Sequence, residues 1–367
     1  MDTPGDQASR PLTIYDVARR AGVSIASVSR VLNGRNSPRP ETKEKVLAAV
    51  RELGFVPDGA ARALSNRLKE VVGVVFRHAS DVPDDDAFSD ENESLLFADV
   101  INRGVELGAR NKGFDLLMSS VDVYDHSPQS RVASIAGKSD GLILHDQVLS
   151  PVGIVRIAQR TPVVTLAGTP TPASVNVRSD NAAGMRELTR HLLVDHGYRT
   201  VAYLAGHADS PDNLARAEAF ELEVAEVGIE AWTGEIWRGN YMAAGGAKVI
   251  KEILGRNLPL PRAIVCANDQ TAIGVMYTLA QHGIRVPQDV AVTGFDDIPV
   301  ARHLHPQLTT VRQPIQKLGG TAFDVLYSMI SGEGRPEPEV VLPTSLVVRG
   351  SCGCQGESVP PWEASER

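Results

Sequence analysis

The sequence has few cysteines, few aromatic residues and no long apolar run. Three cysteines in 367 residues do not form a disulfide framework and fit a reducing compartment. No run approaches the roughly 18 apolar residues of a membrane span. The polar N-terminus, MDTPGDQASRP, has no hydrophobic signal region. We therefore expect a cytoplasmic protein with no membrane partner.

The patterns that catalysis requires are also missing from the sequence. There is no Ser/His/Asp set at a nucleophile elbow, no phosphate loop and no His/Cys cluster with metal-ligand spacing. Asp296 and Asp297 could do acid–base work, but no partner is evident. Cys352 and Cys354 form a close pair, and we expect them to be inert because no histidine or further cysteine is near in sequence. The sequence thus predicts no enzyme, no cofactor and no metal.

Charge is unevenly distributed along the chain. The net charge is −8, yet residues 1–70 hold 12 Lys and Arg against 8 Asp and Glu. The remaining residues hold 25 Lys and Arg against 37 Asp and Glu. A basic N-terminal part on an acidic body confines attraction for phosphate to one end of the chain. This distribution indicates a nucleic-acid-binding head on a body that avoids nucleic acid.

The segment 13–33, TIYDVARRAGVSIASVSRVLN, predicts two short helices and a tight turn. Thr13 is suited to cap the first helix, and Gly22 can adopt the positive φ of the turn. Ser24 then caps a second helix that has one apolar face and one small, polar and basic face. An ordinary helical hairpin is the alternative, but a helix in a DNA major groove needs such a second face.

The residues that follow predict a third helix opened by Pro40 and ended by Gly54. After them comes the run FVPDGAARAL. The patterns TIYDVA, AGVS, SVSRVLNG, GFVP and ARAL together resemble the DNA-binding headpiece and hinge of the lactose-repressor (LacI/GalR) family of bacterial transcription regulators. Further likenesses are VGVV, SDGLI, ANDQTAIG, VTGFDD and LTTVRQ, so the resemblance covers roughly residues 11–350.

After the headpiece, short β-branched runs alternate with helical patterns in two successive sets. Strand-like runs occupy 71–76, 115–119, 141–144, 163–166, 201–204, 263–266 and 290–293 or 291–293. Helical patterns occupy 100–109, a stretch from 152, 182–191, 214–226, 242–254 and 271–281. Such alternation predicts parallel sheets with helices on both faces. The length allows about two or three domains.

The resemblance implies an all-α helix-turn-helix headpiece with a hinge helix, then an α/β periplasmic-binding-protein-like core of two doubly wound lobes. The implied domains are a headpiece at 11–57, a hinge at 58–69, a core for effector binding and dimerisation at 70–351, and a disordered tail at 352–367. The chain should cross between the lobes at 177–180, 310–314 and 342–343. The tail is too short for the tetramerisation helix of some relatives, so we expect a homodimer.

Two sets of residues match the functional positions of the family. For operator DNA, Arg30 can bond a guanine edge in a fork, and Leu64 is the wedge of the hinge helix in the minor groove. The matching DNA-binding positions are Thr13, Tyr15, Ser24, Ile25, Ala26, Ser29, Arg30, Asn33, Thr42, Ala61 and Leu64. Capping and local turn bonds are the alternative roles for the polar members.

The matching effector-binding positions are Arg216, Tyr241, Asn268, Asp296 and Gln313. A guanidinium, an amide, a carboxylate and an aromatic ring suit a polyhydroxylated ligand. Asn268 and Asp296 could instead serve turns or caps, and Arg216 could be a solvated helix residue.

Ala167 stands where relatives often carry a carboxylate, so we expect an apolar wall there. We then expect a larger glycoside or a ligand that is not a sugar. The acidic segment 81–93 is expected to be a solvated loop or, alternatively, a lid over the cleft.

Two functions are compatible with this core. One is a ligand-controlled regulator of transcription, most simply a repressor on a palindromic operator. The other is a solute-binding protein of the same fold without a DNA role. A receptor has no use for a basic headpiece and would need an export signal or a lipid anchor, so the regulator is favoured. The sequence does not distinguish induction from corepression.

Overall fold

The computed structural model describes residues 12–32, 38–55, 68–78, 95–122, 127–334 and 337–354. The chain divides after Glu70 into two compact units. The acidic segment 81–93 lies outside the described residues, as do residues 58–67 of the predicted hinge and residues 355–367. No helix in the described ranges is both long and apolar enough to cross a bilayer.

The first unit contains three helices around a small core. They are α1, Ile14–Ala21, α2, Ile25–Leu32, and α3, Pro40–Leu53. The Asp16 carboxylate accepts hydrogen bonds from the backbone N–H and the hydroxyl of Thr13 at 3.0 and 2.8 Å, which fixes the start of α1. Gly22 ends α1 with φ 65°, a left-handed conformation that costs glycine little. The buried core consists of Val17, Ala18, Val28, Val46 and Ala49.

The second unit begins with a lobe built on a six-stranded parallel sheet in the order β11-β5-β4-β3-β1-β2. Its strands are β1, Val71–His78, β2, Asp115–Asp122, β3, Gly141–His145, β4, Val163–Leu166, β5, Val175–Ser179, and β11, Glu339–Leu342. Helices α4, Leu95–Asn111, and α11, Ile315–Ser331, cover one face. Helices α5, Pro128–Ala136, and α6, Pro151–Ala158, cover the other.

The second lobe has a four-stranded parallel sheet in the order β7-β6-β8-β9. Its strands are β6, Val201–Leu204, β7, Ala231–Trp232, β8, Ala263–Cys266, and β9, Ala291–Thr293. Helices α7, Asn181–Arg190, and α8, Pro211–Glu226, pack on one face. Helices α9, Ala243–Gly255, and α10, Asp269–Gln281, pack on the other. Both lobes are therefore doubly wound, as expected.

Three crossings join the lobes close to the expected positions. The first follows β5. The second follows β10, Thr310–Arg312, and leads into α11 on the first lobe. The third lies between β11 and β12, Ser345–Val347. Strands β10 and β12 pair antiparallel, so two of the crossing segments are hydrogen-bonded to each other.

Several expectations about elements are corrected by the structure. Helices α5 and α11 were not anticipated, and the helix that begins at Asn181 continues after Arg190 as a π-helical turn, His191–Asp195. Cys352 and Cys354 were expected to begin a disordered tail. Instead, Cys352 is fully buried at the end of a short 3₁₀ helix, Gly350–Cys352, and Cys354 packs against the core of the second lobe.

Candidate functional site

Helix α2 has two chemically distinct faces. Val28 is fully buried in the three-helix core, and Val31 and Leu32 pack against it. On the opposite side, Ile25 is 41% exposed, and Ala26 and Arg30 are also exposed. The second face is therefore available for contact with another molecule, while the first holds the helix in the unit.

Local hydrogen bonds hold the polar side chains of α2 in defined positions. Ser24 caps the helix, because its hydroxyl accepts a hydrogen bond from the Ser27 N–H at 3.2 Å. The Arg30 Nε donates to the Ala26 carbonyl at 3.1 Å, which holds the side chain along the exposed face. Ser29 is half-buried. Ser24 and Arg30 thus flank the exposed apolar patch formed by Ile25 and Ala26.

The remaining candidates for DNA contact have mixed surroundings. Tyr15 is 60% exposed, whereas Thr13 is half-buried and its hydroxyl bonds the Asp16 carboxylate. Thr42 is half-buried, and its backbone N–H donates to the Arg39 carbonyl at 2.8 Å. Thr13 therefore has the local capping role that was the alternative to a phosphate contact. Three candidates lie outside the described residues, namely Asn33, Ala61 and Leu64.

In the second lobe, the structure brings all five effector-binding candidates together around Arg216. The Arg216 side chain is buried rather than solvated. Its Nε donates to Asn181 Oδ1 at 2.8 Å and its Nη1 to the Ala267 carbonyl at 2.7 Å. The guanidinium carbon lies 3.9 Å from the centroid of the Phe295 ring. This burial excludes the alternative of a solvated helix residue, and the effector-binding role of Arg216 stays a prediction.

Asp296 and Gln313 sit beside this guanidinium. Arg216 Nη1 is 3.9 Å from Asp296 Oδ1, and Gln313 Nε2 donates to the same oxygen at 2.6 Å. Burial raises the pKa of Asp296 to about 7, although Arg216 opposes the shift. The carboxyl is therefore poised between its charged and neutral forms near neutral pH.

Asn268 and Tyr241 complete the cluster. Asn268 caps α10, because its Oδ1 accepts from the Thr271 N–H at 3.0 Å. Its Nδ2 donates to the Tyr241 carbonyl at 3.0 Å. The capping role is thus the one the structure displays for Asn268, and it also fixes the backbone of Tyr241. The Tyr241 hydroxyl donates to Ser210 Oγ at 3.4 Å.

A cavity of about 340 Å³ lies in the first lobe, where the second lobe adds one residue to its wall, and none of the five effector-binding candidates is among its lining residues. The first lobe lines it with the carboxyl ends of β1, β2, β3 and β4, and the second lobe contributes Asp209. His145 and Gln147 line this cavity, and each also has a buried side-chain nitrogen without a hydrogen-bond partner among the described residues. Polar side chains at the carboxyl ends of parallel strands favour a polar ligand there.

The apolar wall expected near Ala167 stays a prediction, because Ala167 is not among the residues that line this cavity. The same cavity is lined by polar side chains of the first lobe, which enter from the ends of β1, β2 and β3 rather than from the position after β4. These side chains are Arg77, Asp122, His145, Asp146 and Gln147. Their position at the carboxyl ends of parallel strands is a sequence signal that could have identified them.

Asp146 links the two lobes. The pKa of Asp146 is raised to about 7, chiefly by burial and also by the charge of Asp212, while a hydrogen bond from Ser210 opposes the shift. Arg77 and Asp209 form a second polar contact across the cleft, with 4.0 Å between Nη1 and Oδ2. Ser210 also contacts the Tyr241 hydroxyl and Asp212 contacts Arg216, both at 3.4 Å, so polar contacts connect Asp146 in the cavity wall to the second-lobe cluster.

Sequence comparisons agree with this division into a head and a body. The family described as "Bacterial regulatory proteins, lacI family" matches residues 13–58. A "Periplasmic binding protein-like domain" matches residues 190–352. The chain is 33% identical over 324 residues to the HTH-type transcriptional regulator GalS of Salmonella typhimurium, covering 88% of this chain and 91% of that protein.

Two solved structures are similar over nearly the whole chain. One is the lac repressor dimer bound to operator and the anti-inducer ONPF, with a TM-score of 0.79, 27% identity, and coverage of 94% of this chain and 99% of that one. The other is a complex of the transcriptional regulator CelR with cellobiose, with a TM-score of 0.66, 29% identity, and coverage of 93% and 100%.

Proposed function

Because this chain belongs to the LacI family of bacterial regulatory proteins, we propose that it is a ligand-responsive, sequence-specific DNA-binding regulator of transcription. It acts as a repressor that binds a palindromic operator as a homodimer. A small carbohydrate-like effector binds in the cleft between the lobes. DNA is then its macromolecular partner, and the bacterial nucleoid is its place of action.

The observation that carries the proposal is the exposed face of α2. Ile25, Ala26 and Arg30 are exposed on a helix whose other face is buried. A guanidinium can form a bidentate fork with guanine O6 and N7, and small apolar side chains can meet a thymine methyl group. Ser24, Tyr15 and Ser29 supply hydroxyl groups that suit phosphate oxygens. Asn33, Thr42, Ala61 and Leu64 remain proposed contacts on the family pattern alone.

The effector site is proposed to span both lobes. The second lobe supplies Arg216, Tyr241, Asp296 and Gln313, while Asn268 positions Tyr241 through its backbone. Opposite them, Asp146, His145 and Gln147 line the cavity of the first lobe. Carboxylates, amides and a guanidinium can together bond several hydroxyl groups of one ligand. The similarity to the CelR–cellobiose complex supports a glycoside or oligosaccharide as the effector.

An effector site shared by the two lobes can couple effector binding to operator binding. An effector that bonds both walls favours one arrangement of the lobes over another, so it shifts the population of states. Lobe movement in the dimer would change how the two DNA-binding units meet the operator. Effector and operator then change each other's affinity by the same factor.

Selection from random DNA tests the DNA-binding part of the proposal. The full-length chain should enrich an inverted repeat, because a two-fold symmetric dimer places its two headpieces on equivalent half-sites. Enrichment of a direct repeat or of a lone half-site contradicts the symmetric dimer. Failure to enrich any sequence favours the alternative, a solute-binding protein of the same core fold.

Calorimetry tests the effector site independently of DNA. Hexoses, cellobiose and other small metabolites are titrated into the wild-type chain and into two variants. Asp146→Asn and Asp296→Ala should each weaken binding by about 10-fold or more, equivalent to losing a buried hydrogen bond of about 1–3 kcal/mol. Asp324→Asn, an exposed change on α11, is the control. Unchanged binding in both cleft variants would place the effector elsewhere.

A further inference from the structure

Four potential metal-ligating side chains meet on the second lobe, away from the effector cleft. They are His191, His196, Cys352 and Cys354, and their ligand atoms all lie within 4.8 Å of one another. They come from two segments that are far apart in sequence. The premise for inert cysteines, that no histidine is near them, holds along the chain but not in the fold.

The π-helical turn after α7 brings the two histidines together. His191 and His196 are five residues apart, and the His196 N–H donates to the His191 carbonyl at 3.2 Å. The wider turn closed by an i→i+5 bond brings residues five apart closer to the same side of the helix than the tighter α-helical turn does. As a result, the two Nε2 atoms are 3.2 Å apart. Such π-helical turns occur frequently at functional sites.

A tight turn brings the two cysteines to the same place. Gly353 between them has φ 105°, which an L side chain rarely adopts. A Cβ at Gly353 would also lie 2.9 Å from the Tyr198 hydroxyl oxygen. That hydroxyl donates to the Cys352 carbonyl at 2.7 Å. The turn is therefore held against the segment that carries the histidines.

Four of the six distances between the ligand atoms are close to the edges of a tetrahedral zinc site, and all six are within 4.8 Å. Zinc lies about 2.0–2.1 Å from histidine nitrogen and about 2.3 Å from cysteine sulfur, so the edges of its tetrahedron are about 3.3 Å for N···N and about 3.5 Å for S···N. Here the N···N distance is 3.2 Å. The S···N distances are 3.5 Å from His191 Nε2 to each sulfur and 3.3 Å from His196 Nε2 to Cys354 Sγ.

The surroundings orient the ligands as in known metal sites. His191 Nδ1 lies 2.8 Å from Asp195 Oδ2, which directs Nε2 toward the sulfurs. A carboxylate on the distal nitrogen is the usual partner of a metal-bound histidine, since it fixes the tautomer and the ring. The His196 ring stacks on Tyr198 with centroids 5.2 Å apart and planes at 10°. Cys352 is fully buried, and Cys354 is half-buried.

We propose that His191, His196, Cys352 and Cys354 bind one zinc ion in a closed structural site. Four protein ligands leave no position for substrate, and a Cys₂His₂ set is a structural zinc set. Binding forms two Zn–S and two Zn–N bonds and releases the thiol protons to solvent. The ion joins the end of α7 to the last described residues of the chain. This site goes beyond the proposed function and does not depend on it.

Metal content of the full-length protein tests the proposal. The chain is expressed with zinc in the medium, dialysed, and analysed by elemental mass spectrometry, which should find about one zinc per chain. Cys354→Ser and His196→Ala should each lower that content severalfold. His282→Ala and Cys266→Ala change the same residue types at other positions and should retain the wild-type content.

Cobalt provides a readout of the ligand set and does not depend on any variant folding. Zinc is removed from the wild-type chain with a chelator, and Co²⁺ is added. Sulfur-to-cobalt charge-transfer bands and intense visible bands of a tetrahedral ion are expected, and added zinc should abolish both. Zinc should also raise the melting temperature of the stripped chain, because an ion bound only to the native state stabilises it.

Asp195→Asn tests whether His191 acts as a metal ligand or only as a packed side chain. Removal of the carboxylate should weaken zinc affinity by about 10–100-fold while the four ligands remain. Three results would overturn the proposal. They are a wild-type zinc content no higher than that of Cys354→Ser, a cobalt spectrum without sulfur charge transfer, and a Cys352–Cys354 disulfide in protein purified under reducing conditions.

Discussion

At the residue scale, the side chains of the cleft combine structural and binding roles. Asn268 uses its oxygen to cap α10 and its amide to hold the Tyr241 backbone. Arg216 is buried, and a buried guanidinium needs acceptors because charge is costly away from water. Asn181, the Ala267 carbonyl and Asp212 provide them. These partners make the cleft a pre-organised polar surface.

The exposed face of α2 leads to a prediction about Arg30. Arg30→Ala should weaken operator binding by about 1–3 kcal/mol and relax the preference at one base pair in each half-site. Arg51→Ala is a matched control, since Arg51 is also exposed and its Nε bonds the Leu47 carbonyl four residues earlier at 3.3 Å. Binding is measured on operator and on random DNA at one salt concentration. Equal losses on both DNAs would show that Arg30 contacts phosphate.

A second residue-scale prediction concerns pH and Asp146. The pKa of Asp146 is raised from 3.8 to about 7, so the folded chain binds a proton that the unfolded chain releases. This contribution to stability is fully present below about pH 3.8 and is lost as pH rises through about 7. Between about pH 5 and about pH 8, wild type should therefore lose more unfolding free energy than Asp146→Asn. Urea denaturation at each pH measures the difference.

The control for this pH dependence is Asp324→Asn, which should keep the wild-type slope because Asp324 is exposed on α11. Identical slopes for wild type and Asp146→Asn would mean that Asp146 does not take up the proton. The same carboxyl faces Ser210 and Asp212 of the other lobe. Effector affinity should consequently change more steeply with pH in wild type than in Asp146→Asn, in which Asp296 still titrates near pH 7.

At the scale of elements, close helix packing shapes the first lobe. Helices α4 and α11 approach closely at two glycines. A Cβ at Gly104 would lie 2.0 Å from the Gln316 carbonyl oxygen, and one at Gly319 would lie 2.0 Å from the Ile101 carbonyl oxygen. The contact helps to hold α11 on the first lobe after the chain has crossed back from the second.

Gly319→Ala should therefore lower the free energy of unfolding by about 1–3 kcal/mol, because the helices must separate to admit a methyl group. The neighbouring Gly320 is a matched control in the same helix, since its added Cβ would only reach the Gly104 carbonyl oxygen at 3.8 Å. Gly320→Ala should be neutral or raise stability by about 0.5–1 kcal/mol. Chemical denaturation of both variants checks the prediction. Similar effects of the two changes would contradict the close contact.

At the scale of the whole molecule, the basic and the acidic parts of the chain correspond to its two compact units. The basic surplus lies in residues 1–70, which include the unit that carries α2, and the acidic surplus lies in the remaining residues. Attraction to phosphate is thereby limited to the unit proposed to read DNA. The acidic body disfavours contact with DNA at other surfaces.

The proposed coupling of effector and operator makes a whole-molecule prediction. The factor by which an effector changes operator affinity should equal the factor by which the operator changes effector affinity. Fluorescence titration of operator with and without effector gives the first factor, and calorimetry of effector with and without operator gives the second. Factors that differ beyond error would mean that the two ligands are not linked through one equilibrium of the protein.

The sequence by itself determined the elements whose cause is local. The pattern of apolar residues, the capping serine and Gly22 predicted α1 and α2, and β-branched runs predicted β4, β6 and β8 at their observed bounds. The ordered motifs predicted both lobes and the crossings between them. Periodicity and turn chemistry act over a few residues, so these features can be read along the chain.

Only the tertiary structure decided which distant residues meet. It placed Asp146 across the cleft from Ser210 and Asp212, and it gathered Arg77, Asp122 and His145 from three different strand ends into one cavity wall. It also brought Cys352 to within 3.5 Å of His191 across 161 residues. Such contacts depend on how sheets and helices pack, and packing is not encoded in the spacing of any single segment.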